Sequence, residues 1–132
     1  MRVVCDTNVL VAALIADGLC RDVVKRRLTR VELFTSAGLV RELETTLRNK
    51  FRATTGDLAF VDAYRKRAVL VRPAKLHKPV CRDPDDDLVL ATAQAAKADC
   101  ILTGDQDLLV LERFLNIAIL APRAFAELMD RG

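Results

Sequence analysis

The chain has 132 residues, 52% apolar and 30% charged, which is enough for one domain (residues 1–132) with a real core and too apolar for a disordered polypeptide. Its longest uncharged apolar run, residues 9–16, is far shorter than the roughly 20 residues a membrane helix needs. Asp6 also interrupts the stretch that a signal peptide requires to be apolar, so the expected compartment is the cytoplasm and no membrane is involved. The formal charge of +3 is uneven: residues 1–72 carry 14 basic and 8 acidic side chains, while residues 73–132 carry 7 and 10. A basic half beside an acidic focus suits a polyanion gripped by one part and met through a cation by the other.

In chain order, residues 2–6 read as a short buried strand ending on an acid, and residues 7–16 as an apolar helix punctuated by Gly18. Residues 21–30 predict a helix with Val23, Val24 and Leu28 inward and Arg21, Lys25, Arg26, Arg27 and Arg30 outward. Residues 32–35 are a strand. Ser36 is a suitable N-cap for a helix reaching about Asn49, striped by Leu39, Val40, Leu43 and Leu47 with Glu42 alongside. Residues 51–56 read as a polar connection, 58–67 as a helix, 69–71 as a strand and 72–82, with Pro73 and Pro79, as one long loop. A helix over 87–98, a strand over 100–103, a helix over 105–113, a strand over 116–120 and a helix opened by Pro122 complete the chain. Strands of continuous Val, Ile, Leu and Cys alternating with helices predict a parallel sheet covered on both faces. In such sheets functional groups gather beyond the carboxyl ends of the strands.

Seven of the 18 acidic residues fall within residues 81–107: Asp83, Asp85, Asp86, Asp87, Asp99, Asp105 and Asp107. Asp83 as N-cap, Pro84 at N1 and acids in the first turn make a good helix start, so capping alone accounts for Asp83, Asp85 and Asp86. It does not account for Asp87. Asp6, Glu42 and Asp105 each admit a bland reading as a cap or a solvated helix residue, but all stand where this topology brings them to one rim with Asp87. Converging carboxylates suit a hard divalent cation such as Mg²⁺ or Mn²⁺.

Other chemistries find little to build on. The four cysteines lack the paired spacing of a zinc site, and Cys5 and Cys100 sit in apolar strands as buried thiols do. His77 is the single histidine and stands in a loop, leaving no Ser/His/Asp or Cys/His constellation. Base-stacking platforms are not visible, so a grip on nucleic acid has to lean on phosphates or groove shape; Lys25, Arg26 and Arg30 are the candidates, with an ordinary solvated face as the equal alternative.

Four motifs then carry a family resemblance: Val4-Cys5-Asp6-Thr7-Asn8-Val9, Val40-Arg41-Glu42-Leu43, Asp83-Pro84-Asp85-Asp86-Asp87 followed by Leu88 to Ala93, and Leu102-Thr103-Gly104-Asp105-Gln106-Asp107. In this order they resemble the PIN domain signatures across almost the whole chain, most closely the short toxin components of toxin–antitoxin systems related to VapC-type ribonucleases. The resemblance implies an α/β fold, a three-layer α/β/α arrangement around a five-stranded parallel sheet, commonly as a homodimer. It places Asp6, Glu42, Asp87 and Asp105 in the acidic quartet that holds Mg²⁺ or Mn²⁺ for RNA hydrolysis, with Asp83 or Asp86 as alternatives to Asp87. Asn8, Thr103, Asp107 and Asp83 fall at supporting polar positions, and an antitoxin protein is the implied partner. The rival readings are a PIN-like binding module without nuclease activity and a phosphoryl-transfer domain. For the latter, the acceptor Asp and Lys of a receiver are missing, and Asn8 stands where a haloacid-dehalogenase-type phosphatase needs Asp.

Overall fold

The computed structural model describes residues 1–50, 52 and 54–131. Among these the chain runs β1 (Arg2–Cys5), α1 (Thr7–Ile15), α2 (Leu19–Asp22), β2 (Glu32–Thr35), α3 (Ala37–Lys50), α4 (Thr55–Arg67), β3 (Val69–Leu70), α5 (Pro84–Ala96), β4 (Cys100–Leu102), α6 (Gln106–Leu109), β5 (Arg113–Phe114), β6 (Ile117–Leu120) and α7 (Pro122–Arg131). The strands lie in the order β3-β2-β1-β4-β6-β5, parallel except for β5, which runs antiparallel to β6. The central pair β1 and β4 places Cys5 beside Leu102, so the residues that follow both strands emerge together.

Alternation along the strands divides the interior into two apolar layers. Val3, Cys5, Leu33, Cys100 and Leu102 face a core shared with α1, α3 and α7. Val4, Phe34, Ile101 and Ile119 face the opposite core, closed by Val89, Leu90 and Ala93 of α5 and Leu108 of α6. This is the three-layer α/β arrangement expected from apolar strands between helices. Each fully buried Leu or Ile here contributes roughly 2 kcal/mol of burial free energy. Helices α3 and α5 approach closely because Gly38 has no Cβ, which would lie 2.9 Å from a methyl of Leu88. That packing brings Glu42 on α3 toward the start of α5.

The five parallel strands agree with the sequence reading, and several local expectations do not. The helix expected over 105–113 ends at Leu109, because Glu112 (φ 60°) and Leu115 (φ 54°) turn the backbone through left-handed conformations and set Arg113–Phe114 as an edge strand. The helix expected over 21–30 breaks after Asp22 into a π-helical turn, Val23–Arg27, and a 3-10 turn, Leu28–Arg30. The widened turn lines up residues five apart, and Arg27 meets Asp22 in that way. Ser36 stands at the N-cap position of α3, its carbonyl accepting from the Val40 N–H (3.0 Å), and its hydroxyl lies 2.9 Å from that of Thr92, tying β2 to α5. Helix α4 starts earlier than residue 58, through a reciprocal cap in which Thr54 and Asp57 exchange two 3.0 Å hydrogen bonds. Positions 51 and 53 of the expected polar connection lie outside the described residues. No helix among the described residues is long and apolar enough to cross a membrane.

Candidate metal centre

The rim begins where β1 and β4 end side by side. The Asp6 backbone N–H donates to the Leu102 carbonyl (2.9 Å), which fixes Asp6 next to Thr103. Thr103 is fully buried; its hydroxyl donates to Asp6 Oδ2 (2.7 Å) and accepts from the Asp105 N–H (3.0 Å). One hydroxyl therefore sets two acids that lie 99 positions apart in the chain. Asp105 caps α6 by accepting from the Asp107 N–H (2.9 Å). Asn8 reaches the same edge with a long contact, its Oδ1 standing 3.4 Å from the Gly104 N–H.

From the other side comes the first turn of α5. Asp83 caps it, accepting from the Asp85 N–H (2.9 Å), with Pro84 at the first helical position. Asp86 is only 7% exposed, and its carboxylate joins those of Asp105 and Asp107, with one oxygen of each lying within 4.8 Å of the others. Asp87 is placed differently from the sequence reading. Its carboxylate accepts hydrogen bonds from the N–H groups of Cys81 (2.8 Å) and Val80 (3.2 Å), so it ties down the loop before α5 and does not join the acidic cluster. The structure puts Asp86 there instead. Helical phase carries the reason: Asp86 precedes the buried Val89, Leu90 and Ala93 by three, four and seven positions, whereas Asp87 leads to a different side.

Glu42 completes the arrangement from α3. It is half-buried and accepts from the Thr7 hydroxyl (3.1 Å), which draws it to the start of α1 beside Asp6. The electrostatics record the crowding. Burial, then the hydrogen bond and charge of Asp105, then the charges of Asp6 and Asp83 push the Asp86 carboxyl up to about 7. Burial also raises Asp6, with Thr103 opposing and Asp105 adding to the rise. Glu42 is raised by burial, opposed by Thr7, and raised further by Asp85, Asp6 and Asp83. Arg82 meets the cluster at its edge, its exposed guanidinium pairing with Asp107 at 2.8 Å.

The donor set is all carboxylate oxygen, with no sulfur or imidazole in the cluster among the described residues, which is the chemistry of a hard divalent ion. Two oxygens on one such ion stand about 3 to 4 Å apart at bonds of roughly 2.1 Å, so a small inward rotation converts the cluster into a ligand set. Carboxylates held this close are mutually repulsive until a positive charge joins them.

The expected phosphate-contacting residues are not at this rim. Arg30 precedes β2, whose first residue Glu32 pairs with Arg2 at the start of β1, the end of the sheet opposite Asp6. Arg30 approaches Asp130 at 4.0 Å and Arg26 approaches Asp22 at 3.3 Å, while Arg27 is bound between Asp22 and Asp130. Lys25 is exposed on the same segment. The sequence marks charge there, but not the acids that neutralise it.

Comparison with known proteins agrees with this geometry. A protein of Methanocaldococcus jannaschii named Uncharacterized protein MJ1680 is 29% identical over 148 aligned positions, covering 99% of this chain and 93% of its own. A sequence model described as PIN domain matches residues 2–107, a span that contains Asp6, Glu42, Asp86, Asp105 and Asp107. The fold of this chain is nuclease-like, and the carboxylates of Asp86, Asp105 and Asp107 lie close enough together to hold a metal ion. The chain belongs to the PIN domain family.

Proposed function

We propose that the protein is a metal-dependent endoribonuclease, acting in the cytoplasm as the toxin of a type II toxin–antitoxin pair. The observation that carries the reading is that Thr103 ties Asp6 to Asp105 while the carboxylates of Asp86 and Asp107 meet that of Asp105, with Glu42 held through Thr7 next to Asp6. Asp6, Asp86 and Asp105 would hold Mg²⁺ or Mn²⁺, with Asp107 at its margin, and a cation bound there acidifies water and offsets charge on a phosphodiester.

The chain's own residues do the rest. Thr103 holds Asp6 through Oδ2 and, by accepting from the Asp105 N–H, keeps the Asp105 backbone beside it. Glu42 stands outside the Asp86, Asp105 and Asp107 group and is held beside Asp6 by its hydrogen bond from the Thr7 hydroxyl, a placement suited to orienting the attacking water and accepting its proton. Asp107 and Arg82 form an exposed pair that a phosphate can open, the guanidinium passing from one anion to the other. Exposed Val69 and Leu70 on the free edge strand β3 offer apolar surface suited to a protein partner, and the reading takes an antitoxin and a second copy of the chain as those partners.

The test is RNA incubated with Mn²⁺, with and without EDTA, beside Asp6→Asn, Asp86→Asn and Asp87→Asn. Cleavage is expected from the wild type and from Asp87→Asn, and not with EDTA or from the other two variants. Equal RNA loss in every lane is contamination. A wild type that binds RNA without cutting it is a binding module, and the reading fails.

A further inference from the structure

The sequence has a second basic segment that the acidic rim does not absorb. Residues 72–82 carry Arg72, Lys75, His77, Lys78 and Arg82 with no Asp or Glu among them. Arg72, Lys75, His77 and Lys78 are exposed, and among the described residues Arg72, Lys75 and Lys78 make no ion pair, whereas Arg21, Arg26, Arg27 and Arg30 of the earlier segment all do.

The segment is held as an arch. At one end the Ala74 N–H donates to the Ala91 carbonyl of α5 (3.0 Å); at the other, Val80 and Cys81 donate to the Asp87 carboxylate. Pro73 and Pro79 stiffen both ends, so less freedom is lost when a ligand settles on it. Under the arch, against Pro84 and Leu88, lies a hollow of about 460 Å³ lined by Leu76, His77 and Lys78. A second hollow of about 200 Å³, toward Gln94 and Phe114, shares those three residues. Arg82, at the end of the arch, pairs with Asp107 of the acidic cluster. Cations, an apolar recess with an imidazole edge, and a link to the acids thus follow one another along the loop.

We infer that the arch at residues 75–79, anchored by Asp87, is a binding surface for single-stranded RNA that leads the strand to the acidic rim, an inference that rests on the ribonuclease reading. Lys75 and Lys78 contact phosphates, Arg82 passes the backbone on to the cluster, and His77 lies against a base above the apolar floor. Asp87 is a positioning residue, acting on the RNA through the loop it holds.

The experiment follows a labelled single-stranded oligoribonucleotide by fluorescence anisotropy in EDTA, where cleavage is stopped, over a range of salt. Each phosphate contact on a single strand steepens the log–log salt dependence by about 0.7. Lys75→Gln with Lys78→Gln is expected to flatten it by about 1.4, and to weaken binding at least about tenfold at low salt. His77→Ala weakens binding with the slope unchanged, and Asp87→Ala weakens it while leaving the Mn²⁺-induced rise in melting temperature intact. Lys25→Gln with Arg26→Gln changes neither slope nor affinity. An unchanged slope in the Lys75/Lys78 variant overturns the inference, as does polyglutamate binding to the arch as tightly as RNA. If the slope falls but the wild type cuts no RNA in Mn²⁺, the arch stands and the ribonuclease reading alone falls.

Discussion

Replacing Asp86 and Asp87 one at a time by Asn separates two neighbours that the sequence treats alike. At about 1.4 kcal/mol per pKa unit, the distance from the ordinary 3.8 to about 7 for Asp86 is an upper bound of about 4 kcal/mol of destabilisation at neutral pH. Solvent reaching the half-buried Asp105 and Asp107 screens this, and about 2 kcal/mol is the working figure. The folded state keeps the Asp86 proton to higher pH than the unfolded chain. The associated stability is therefore full below about pH 4 and is lost as pH rises toward 7, and Asp6 and Glu42 shift in the same direction. Without a cation, Asp86→Asn should flatten that decline and melt roughly 7 °C above wild type at pH 7.5, at about 3 to 4 °C per kcal/mol for a chain of this length. It should also lose the rise of about 10 °C that Mn²⁺ at a hundred times its dissociation constant gives the wild type. Asp87→Asn removes the charge that receives the Val80 and Cys81 N–H groups, costs about 1 to 2 kcal/mol, and keeps the Mn²⁺ response. Thermal melts of the three proteins at pH 4.5 and 7.5, with and without Mn²⁺, decide the matter. If Asp87→Asn loses the Mn²⁺ response and Asp86→Asn keeps it, the placement of the metal centre is wrong.

Thr103→Val, nearly isosteric, should cost about 2 kcal/mol in chemical denaturation, because it leaves the buried Asp6 carboxylate without its hydroxyl donor, and it should weaken Mn²⁺ binding about tenfold by calorimetry. Glu42→Gln should leave Mn²⁺ affinity within about threefold of wild type while lowering single-turnover RNA cleavage by about a hundredfold or more, the signature of a lost proton acceptor. In the Glu42→Gln background, Mn²⁺ should tighten RNA binding about tenfold or more, since phosphates approach the Asp86, Asp105 and Asp107 cluster freely only once it is neutralised; RNA affinity that Mn²⁺ leaves unchanged refutes the shared site.

The layers of the fold were legible because burial on both faces of a parallel sheet writes itself into unbroken apolar strands such as Val3 to Cys5 and Cys100 to Leu102. The places of Asp6 and Thr103 were legible for the same reason, each standing directly after a strand whose direction is fixed, with Asp105 two positions beyond Thr103. The segment after Leu109 was not, since nothing in its composition announces that Glu112 and Leu115 adopt left-handed conformations. Nor did the basic run after Gly18 reveal its partners: Asp130 comes from the far end of the chain, and only tertiary structure brings it to Arg27. A sequence reports charge on a segment, but neutralisation is a property of pairs.

The acidic start of α5 shows why type and spacing were insufficient where phase was decisive. Successive helical residues turn by about 100°, so four carboxylates in five positions cannot serve one purpose. Asp83 turns back to cap the helix, Asp85 points to solvent and acts on Glu42 by its charge, Asp86 enters the rim, and Asp87 receives the loop. Capping does not account for Asp87 and the PIN resemblance favours it, with Asp83 and Asp86 as alternatives, yet Asp87 has a structural duty of its own, tethering backbone N–H groups seven and six residues upstream. What separates Asp86 from its neighbours is that it continues the stripe of Val89, Leu90 and Ala93 into the interior. A charged side chain at the end of an apolar stripe is buried at a cost unless something answers its charge. In this protein no basic side chain of the cluster answers it, since Asp105 and Asp107 are acids themselves, so a proton retained on Asp86 does so at low pH, and a bound cation is the other group able to.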